Sequence, residues 1–186
     1  MRMVVQRVTK ARVTVGSETT GEIGPGLLLL LGVGREDSEE TCHRMASKVA
    51  RMRIFDDAAG RMNLSLLDTH GQALVVSQFT LYADTSRGLR PSFTNAGEPA
   101  RAKELYERFV SELSYLGVPT RTGRFGAHMA VELVNDGPVT FVLEETEVGN
   151  PQITQITQMG LKGESVESAK STDRNPELPE RSEVSG

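Results

Sequence analysis

Residues 27–33 read Leu-Leu-Leu-Leu-Leu-Gly-Val, an apolar run broken only by Gly32. A strand with one face in water alternates apolar and polar residues, so an unbroken run predicts a strand covered on both faces. Five leucines fall far short of the roughly 20 apolar residues a membrane-spanning helix needs. The chain must therefore build a sheet with cover on each side, and the other segments are read as suppliers of that cover.

Residues 3–15 are rich in valine. Ala11, Val13 and Val15 alternate with Arg12 and Thr14, the period of a half-buried strand. Residues 16–24, with glycine at 16, 21 and 24, read as a turn or hairpin end. A helix follows, with Asp37 and Glu40 as a capping box, or Ser38 as an alternative cap. Its stripe is Cys42, Met45, Ala46, Val49 and Met52. A short strand at Ile54-Phe55 turns over residues 56–60.

A second helix begins near Pro99, a favoured first-turn residue. Its stripe is Ala102, Leu105, Phe109, Leu113 and Leu116, with Gly117 ending it and Pro119 beyond. Residues 127–133 alternate as a strand, Asn135-Asp136-Gly137 is a turn signal, and residues 138–143 return as the partner strand of a hairpin. Each helix has one apolar stripe and can serve one face. The pattern predicts a mixed sheet, or two stacked sheets, with helices on one side.

With 186 residues, 38% of them hydrophobic, the chain fits one domain plus an extra segment. After Gly149 the hydrophobic periodicity ends and Ser, Glu, Pro and Lys dominate. Such a segment cannot bury enough apolar surface to offset its ordering entropy. The expected organisation is a domain over 1–149 and a disordered C-terminal tail over 150–186. The opening Met-Arg-Met-Val-Val has no signal-peptide architecture, and the expected location is cytoplasmic.

The net charge of −4 argues against a broad electrostatic grip on nucleic acid and leaves room for a local contact with RNA. Arg87, Arg90, Arg101 and Lys103 lie close in sequence, as do Arg121 and Arg124. Solvated surface charge is the ordinary explanation for most of them. Cys42 is the only cysteine, which excludes an intrachain disulfide. Its place on a helix stripe favours a buried structural thiol over a nucleophile.

His43, His70 and His128 are scattered, with no ligand spacing around them, so neither a metal nor a cofactor is expected. A Gly-rich phosphate loop and a nucleophile elbow are both lacking. One strand stands out. Residues 73–76, Ala-Leu-Val-Val, begin a buried strand read to extend to Tyr82, yet Ser77, Gln78 and Thr80 interrupt it. On a strand Gln78, Thr80 and Tyr82 share one face, and Ser77, Phe79 and Leu81 the other. Buried polar groups without partners cost about 1–3 kcal/mol each. These groups either bond neighbouring backbone, as ordinary strand residues do, or face a site. Residues 84–97 form a polar loop of the length that is often functional or mobile. By spacing alone Gly137-Pro138 is turn chemistry.

The motifs Ser77-Gln78-Phe79-Thr80-Leu81-Tyr82 and Asn135-Asp136-Gly137-Pro138-Val139-Thr140 together resemble the D-aminoacyl-tRNA deacylase family, in its D-tyrosyl-tRNA deacylase type. The likeness extends from residue 1 to about 145 and includes Val5-Gln6-Arg7-Val8, Ile23, Gly26-Leu27 and Leu30-Leu31-Gly32-Val33. It implies an α/β fold of mixed, largely antiparallel sheets, stacked or barrel-like, with two main helices packed on one side. It implies a homodimer in which Gly137-Pro138 is a cis peptide inserted into the partner's active site. There it would reject L-aminoacyl-tRNA by occupying the space an L side chain needs.

The implied reaction is hydrolysis of the ester joining a D-amino acid, or glycine mischarged on tRNA-Ala, to the 3′-terminal adenosine of tRNA. Ser77, Gln78, Phe79 and Thr80 are the implied catalytic segment. Thr80 is a nucleophile in one mechanism. In the other, backbone N–H groups near Phe79 and Thr80 hold the oxyanion and the ribose 2′-hydroxyl helps to activate water. Phe125 and Met129 fall in the segment resembling the adenine pocket. A partner of DNA or membrane is not expected. A non-catalytic binder of RNA ends and a generic ester hydrolase are the rival readings.

Overall fold

The computed structural model describes residues 1–146 and the backbone of Gln152–Gln155. In chain order the elements are β1 (Arg2–Val15), β2 (Glu18–Ile23), β3 (Gly26–Gly32), α1 (Glu39–Arg51), β4 (Phe55–Asp56) and β5 (Met62–Leu64). Then come β6 (Gln72–Ser77), a 3-10 turn (Phe79–Tyr82), α2 (Pro99–Tyr115), β7 (Thr120–Thr122), β8 (Ala130–Glu144) and β9 (Gln152–Gln155).

Strand β1 organises the sheet. Along one edge its first half pairs antiparallel with β3, from Arg2↔Gly32 to Val8↔Gly26, and its second half with β2, from Ala11↔Ile23 to Val15↔Glu18. Along the other edge it pairs antiparallel with β8 over nearly its whole length. Beyond β3 the sheet continues in parallel to β6 and β7. Parallel neighbours need long crossovers; α1 lies in the one between β3 and β6, α2 in the one between β6 and β7.

The leucine run behaves as its composition demands. Leu27, Leu29 and Leu31 pack with Met45, Val49, Leu105 and Phe109 of the two helices. Leu28 and the half-buried Leu30 face the other way, with Leu74 and Val76 of β6, onto Val8, Ala11, Val13 and Ile23. The curled second half of β1 thus covers the sheet face that the helices leave bare. The result is the mixed, largely antiparallel and nearly barrel-shaped α/β fold, with both helices on one side.

Three local expectations change, and of the two caps expected for α1 Ser38 is the one formed. Residues 16–24 are not all turn, because β2 occupies Glu18–Ile23. Its inward position Gly21 hides the strand signal: a Cβ there would stand 2.6 Å from the Thr122 carbonyl oxygen, where β2 closes on β7. Ser38, with Thr41 reciprocating, caps α1; the Asp37 carboxylate instead accepts from the Gly34 N–H at 2.7 Å.

The strand read to Tyr82 stops at Ser77. β3 ends at Gly32, so no ladder partner is left after the Gln78 N–H donates to the Leu31 carbonyl at 2.8 Å. The 3-10 turn then swings the Tyr82 ring inward beneath the Arg2 guanidinium, 4.7 Å from the ring centre. The hairpin at 135–137 is absent as well. β8 is one strand, because β1 is long enough to template both halves, and the turn residues bulge from it.

Gln152–Gln155 pairs antiparallel with Phe141–Glu144 of β8. The rest of the segment expected to be a disordered tail lies outside the described residues. No helix among the described residues is long and apolar enough to cross a membrane.

Gly21→Ala should cost about 1–3 kcal/mol through overpacking against backbone at the closure of β2 on β7. A drop in Tm by calorimetry would register it; an unchanged Tm would mean that β2 and β7 can separate freely.

Candidate active site

A cavity of about 470 Å³ opens where β3 and β6 end at their carboxyl ends. Ligand sites in sheets with parallel strands favour that location, because the ladder gives out there and the chain diverges into loops. The cavity is bounded by Ser77, Gln78 and Phe79 on the strand side, by Ala102 and Tyr106 of α2, and by Phe125 and Met129 across from them. Thr80, Gly137 and Pro138 are not among its walls. The structure thus brings five of the eight candidate residues together.

The wall from Ser77 to Phe79 is the polar corner of a mostly apolar space. The N–H groups of Phe79 and Thr80 belong to the first turn of the 3-10 helix, where no preceding carbonyl is in position to accept them. Neither has an acceptor among the described residues. The Gln78 side-chain amide donates to the Thr80 hydroxyl oxygen. No histidine or carboxylate among the described residues hydrogen-bonds Thr80, which is exposed. Phe79 is 58% exposed and meets the Phe93 ring edge-on at 4.9 Å.

The opposite wall is aromatic. Phe125 lies against Tyr106, with ring centres 5.6 Å apart. The Tyr106 hydroxyl donates to the Val75 carbonyl at 2.8 Å and ties α2 to β6. Such a bond contributes about 1 kcal/mol net. Tyr106 is absent from the sequence-level stripe, although it stands four residues after Ala102. Its polar tip on an apolar face was the available signal, since a buried tyrosine hydroxyl seeks a partner.

Gly137-Pro138 is a cis peptide within an exposed excursion of β8. From Val8 to Gln6 is a two-residue step on β1, and it faces a five-residue step from Asn135 to Thr140. Asn135 closes the excursion: its side-chain amide donates to the carbonyls of Arg7 (3.0 Å) and Val139 (3.1 Å), and its oxygen accepts from the Val139 N–H at 3.1 Å. A Cβ on Gly137 would meet the Val139 nitrogen at 2.1 Å, so no other residue fits there without moving backbone.

Arg7 braces the same segment from beneath. It is 6% exposed and donates to the Asp136 carbonyl (3.1 Å) and the Ile54 carbonyl (2.8 Å). The carboxylates of Asp56 (3.3 Å) and Asp136 (3.1 Å) balance its charge. Sequence reading had noted Arg7 only as part of an N-terminal pattern. A buried arginine with two acidic partners distant in sequence is visible only once they meet.

Cys42 is fully buried, and burial, aided by the Asp37 charge, pushes its thiol up to about 12. Its Sγ–H donates to the Leu105 carbonyl, which makes it a structural thiol and no nucleophile. No group of three or more metal-ligating side chains occurs among the described residues.

Arg7→Met should leave the buried Ile54 carbonyl without its donor, at about 1–3 kcal/mol. The amides of residues 135–139 should then exchange faster with solvent deuterium than in the parent. Unchanged exchange would show that Asn135 alone holds the excursion.

A model of the D-Tyr-tRNA(Tyr) deacylase family matches residues 4–144. The D-aminoacyl-tRNA deacylase of Deinococcus radiodurans is 58% identical over 144 residues, covering 77% of this chain and 99% of that one. That of Thermotoga petrophila is 55% identical over 148 residues, covering 80% and 99%. The solved structure of the c-Myc DNA Unwinding Element Binding Protein superposes with a TM-score of 0.74 at 40% identity, covering 78% of this chain and 99% of that one. A probable eukaryotic D-amino acid tRNA deacylase, at 15% identity and a TM-score of 0.68 over 76% and 97% of the two chains, shares the fold. With a family match over residues 4–144, about three quarters of its length, this chain belongs to the D-Tyr-tRNA(Tyr) deacylase family.

Proposed function

We propose that this chain removes D-amino acids, and glycine mischarged on tRNA-Ala, from the 3′-terminal adenosine of tRNA, acting as a homodimer that spares L-aminoacyl-tRNA. That it is a hydrolase of aminoacyl-tRNA esters follows from family membership. The observation that carries the chemistry is the pair of N–H groups at Phe79 and Thr80, without acceptors among the described residues, on the turn that starts at the Phe79 wall of the otherwise apolar cavity. Water adds to the ester carbonyl, and these donors hold the oxyanion as it forms. The carbon–oxygen bond to the ribose then breaks, the ribose oxygen takes up one of the water's two protons, and the free amino acid leaves as its carboxylate while the other proton passes to solvent. The neighbouring 2′-hydroxyl of the substrate assists in activating the water.

Thr80 as nucleophile fits less well. A hydroxyl needs an adjacent base to lose its proton, and the one side-chain group bonded to it among the described residues is the Gln78 amide, a donor. Gln78 and Thr80 instead hold each other and fix the turn that presents the backbone donors. Phe125, Met129 and Tyr106 supply an apolar, aromatic wall suited to the terminal adenine.

In this reading chirality is enforced by Gly137-Pro138 of a second copy. The excursion is exposed, lies off its own chain's cavity, and is braced by Asn135 and Arg7. A stiff backbone projection of this kind gains a role when it enters a partner's site. Rejection by backbone reads the α-carbon and leaves the D side chain unconstrained, so many D-amino acids and glycine pass.

Incubated with D-tyrosyl-tRNA and L-tyrosyl-tRNA, the purified protein should release D-tyrosine and leave the L ester intact. No release from the D ester would sink the reading, and equal release from both would remove the chiral gate. Thr80→Ala should keep its rate within about tenfold of the parent, whereas a lost nucleophile costs several decades.

A further inference from the structure

The six basic residues singled out by sequence separate into two kinds. Arg101 pairs with Glu104 at 3.1 Å, Lys103 with Glu107 at 3.8 Å and Arg124 with Glu18 at 2.8 Å. Arg87 and Arg90 have no acidic partner among the described residues, and neither does Arg121. Lys10, Arg35, Lys48, Arg51 and Arg53 likewise form no ion pair among the described residues, so position, and not the missing carboxylate, distinguishes Arg87, Arg90 and Arg121. Two of the three stand on one projection.

That projection is built, not slack. Asp84 and Ser92 exchange both backbone hydrogen bonds, each at 2.8 Å, and so close a two-stranded stem. The Asp84 carboxylate accepts from the Ser86 N–H at 2.9 Å, and the Gly88 N–H donates to the Thr85 carbonyl at 3.3 Å. Gly88 has φ +143, a conformation that L side chains rarely adopt. The Phe93 ring, just past the stem, packs on Phe79 of the cavity wall. Arg87, Leu89 and Arg90 are exposed at the tip, Leu89 completely. The stem thus anchors two unpaired guanidinium groups to the rim of the candidate active site.

Resting on the function proposed above, we propose that residues 84–92 form an arginine prong that binds phosphates of the tRNA acceptor end as it leaves the cavity. The reason is one of size. A cavity of about 470 Å³ lies within the range of a single small-ligand site, so it takes the aminoacyl-adenosine and leaves the preceding nucleotides outside. Their phosphates must cross the rim. Arginine is the side chain whose fork matches a phosphate best, and the prong presents two beside the wall that Phe79 forms. A contact of one or two phosphates also suits a protein whose overall charge is negative, because it needs no basic face.

The test compares Arg87→Ala/Arg90→Ala with the parent on two substrates and one ligand: D-tyrosyl-tRNA, the D-tyrosyl ester of adenosine, and fluorescent uncharged CCA-ended acceptor-stem RNA followed by anisotropy. The prong predicts a rise in KM for D-tyrosyl-tRNA of roughly tenfold at low salt, and a log–log salt dependence shallower by about 0.7 per lost phosphate contact on single-stranded RNA. It predicts the same weakening of the uncharged RNA, an unchanged kcat, and unchanged hydrolysis of the adenosine ester. Equal losses on both substrates would make the prong a structural support of the site and overturn the proposal, as would no change on either. A shift from dimer to monomer in sedimentation, with unchanged RNA affinity, would reassign the prong to protein contact. If the parent hydrolyses neither ester, the proposed function fails, and anisotropy still decides whether the two arginines bind RNA.

Discussion

The fold depends on β1 having both edges filled along a single long strand. The path from β2 through Gly24-Pro25 to β3 retraces one edge, and β8 fills the other. A strand so enclosed cannot stay flat, because strand twist accumulates along its length. The twist carries its second half round to the far face of β3 and β6. Val8, Ala11 and Val13 there meet Leu28, Leu74 and Val76, while the helices cover the near face. One strand therefore supplies the ladder of the sheet and also part of its second layer.

Both elements that the proposed function uses arise where this pairing fails. β6 loses its ladder when β3 ends, and the chain tightens into a 3-10 turn whose first N–H groups have no acceptor among the described residues. β8 has three more residues than β1 can match beside Arg7, and the surplus emerges as the Gly137-Pro138 excursion. Neither is a loop added to a finished scaffold. Each is an interruption whose exposed backbone groups are the functional material of the proposed reading, and each is braced by side chains: Gln78 bonds the Thr80 hydroxyl across the turn in the first case, and Asn135 with Arg7 satisfies main-chain groups in the second. Such placement suits chemistry done by backbone, since main-chain donors are held as rigidly as the strands on either side.

The fold was legible wherever burial has a period. The leucine run, the two helical stripes and the alternation in β1 all rest on a local repeat that packing does not alter. Reading failed where a local signal had a non-local resolution. Gly21 was read as turn chemistry and is a strand residue that has given up its side chain to a neighbouring strand. Asn135-Asp136-Gly137 carries the composition of a hairpin turn, yet β1 extends past it on both sides and holds the two flanks in one line. The segment from Ser77 to Tyr82 looked like continuing strand because its partner's end point is written some 45 residues earlier in the chain, at Gly32.

The sequence by itself determined that this chain builds a doubly covered sheet with two helices, that Ser77-Gln78-Phe79 and Phe125 with Met129 deserved attention, and that Cys42 is inert. The choice of Phe79, Phe125 and Met129 rests on the family resemblance, and the rest follows from residue chemistry and short-range periodicity. Only the tertiary structure decided which polar groups remain without partners, since hydrogen-bond satisfaction depends on what other strands deliver to the same place. Among the described residues it left the Phe79 and Thr80 N–H groups without acceptors, paired Arg7 with Asp56 and Asp136, and set Arg87 and Arg90 apart from the ion-paired Arg101, Lys103 and Arg124.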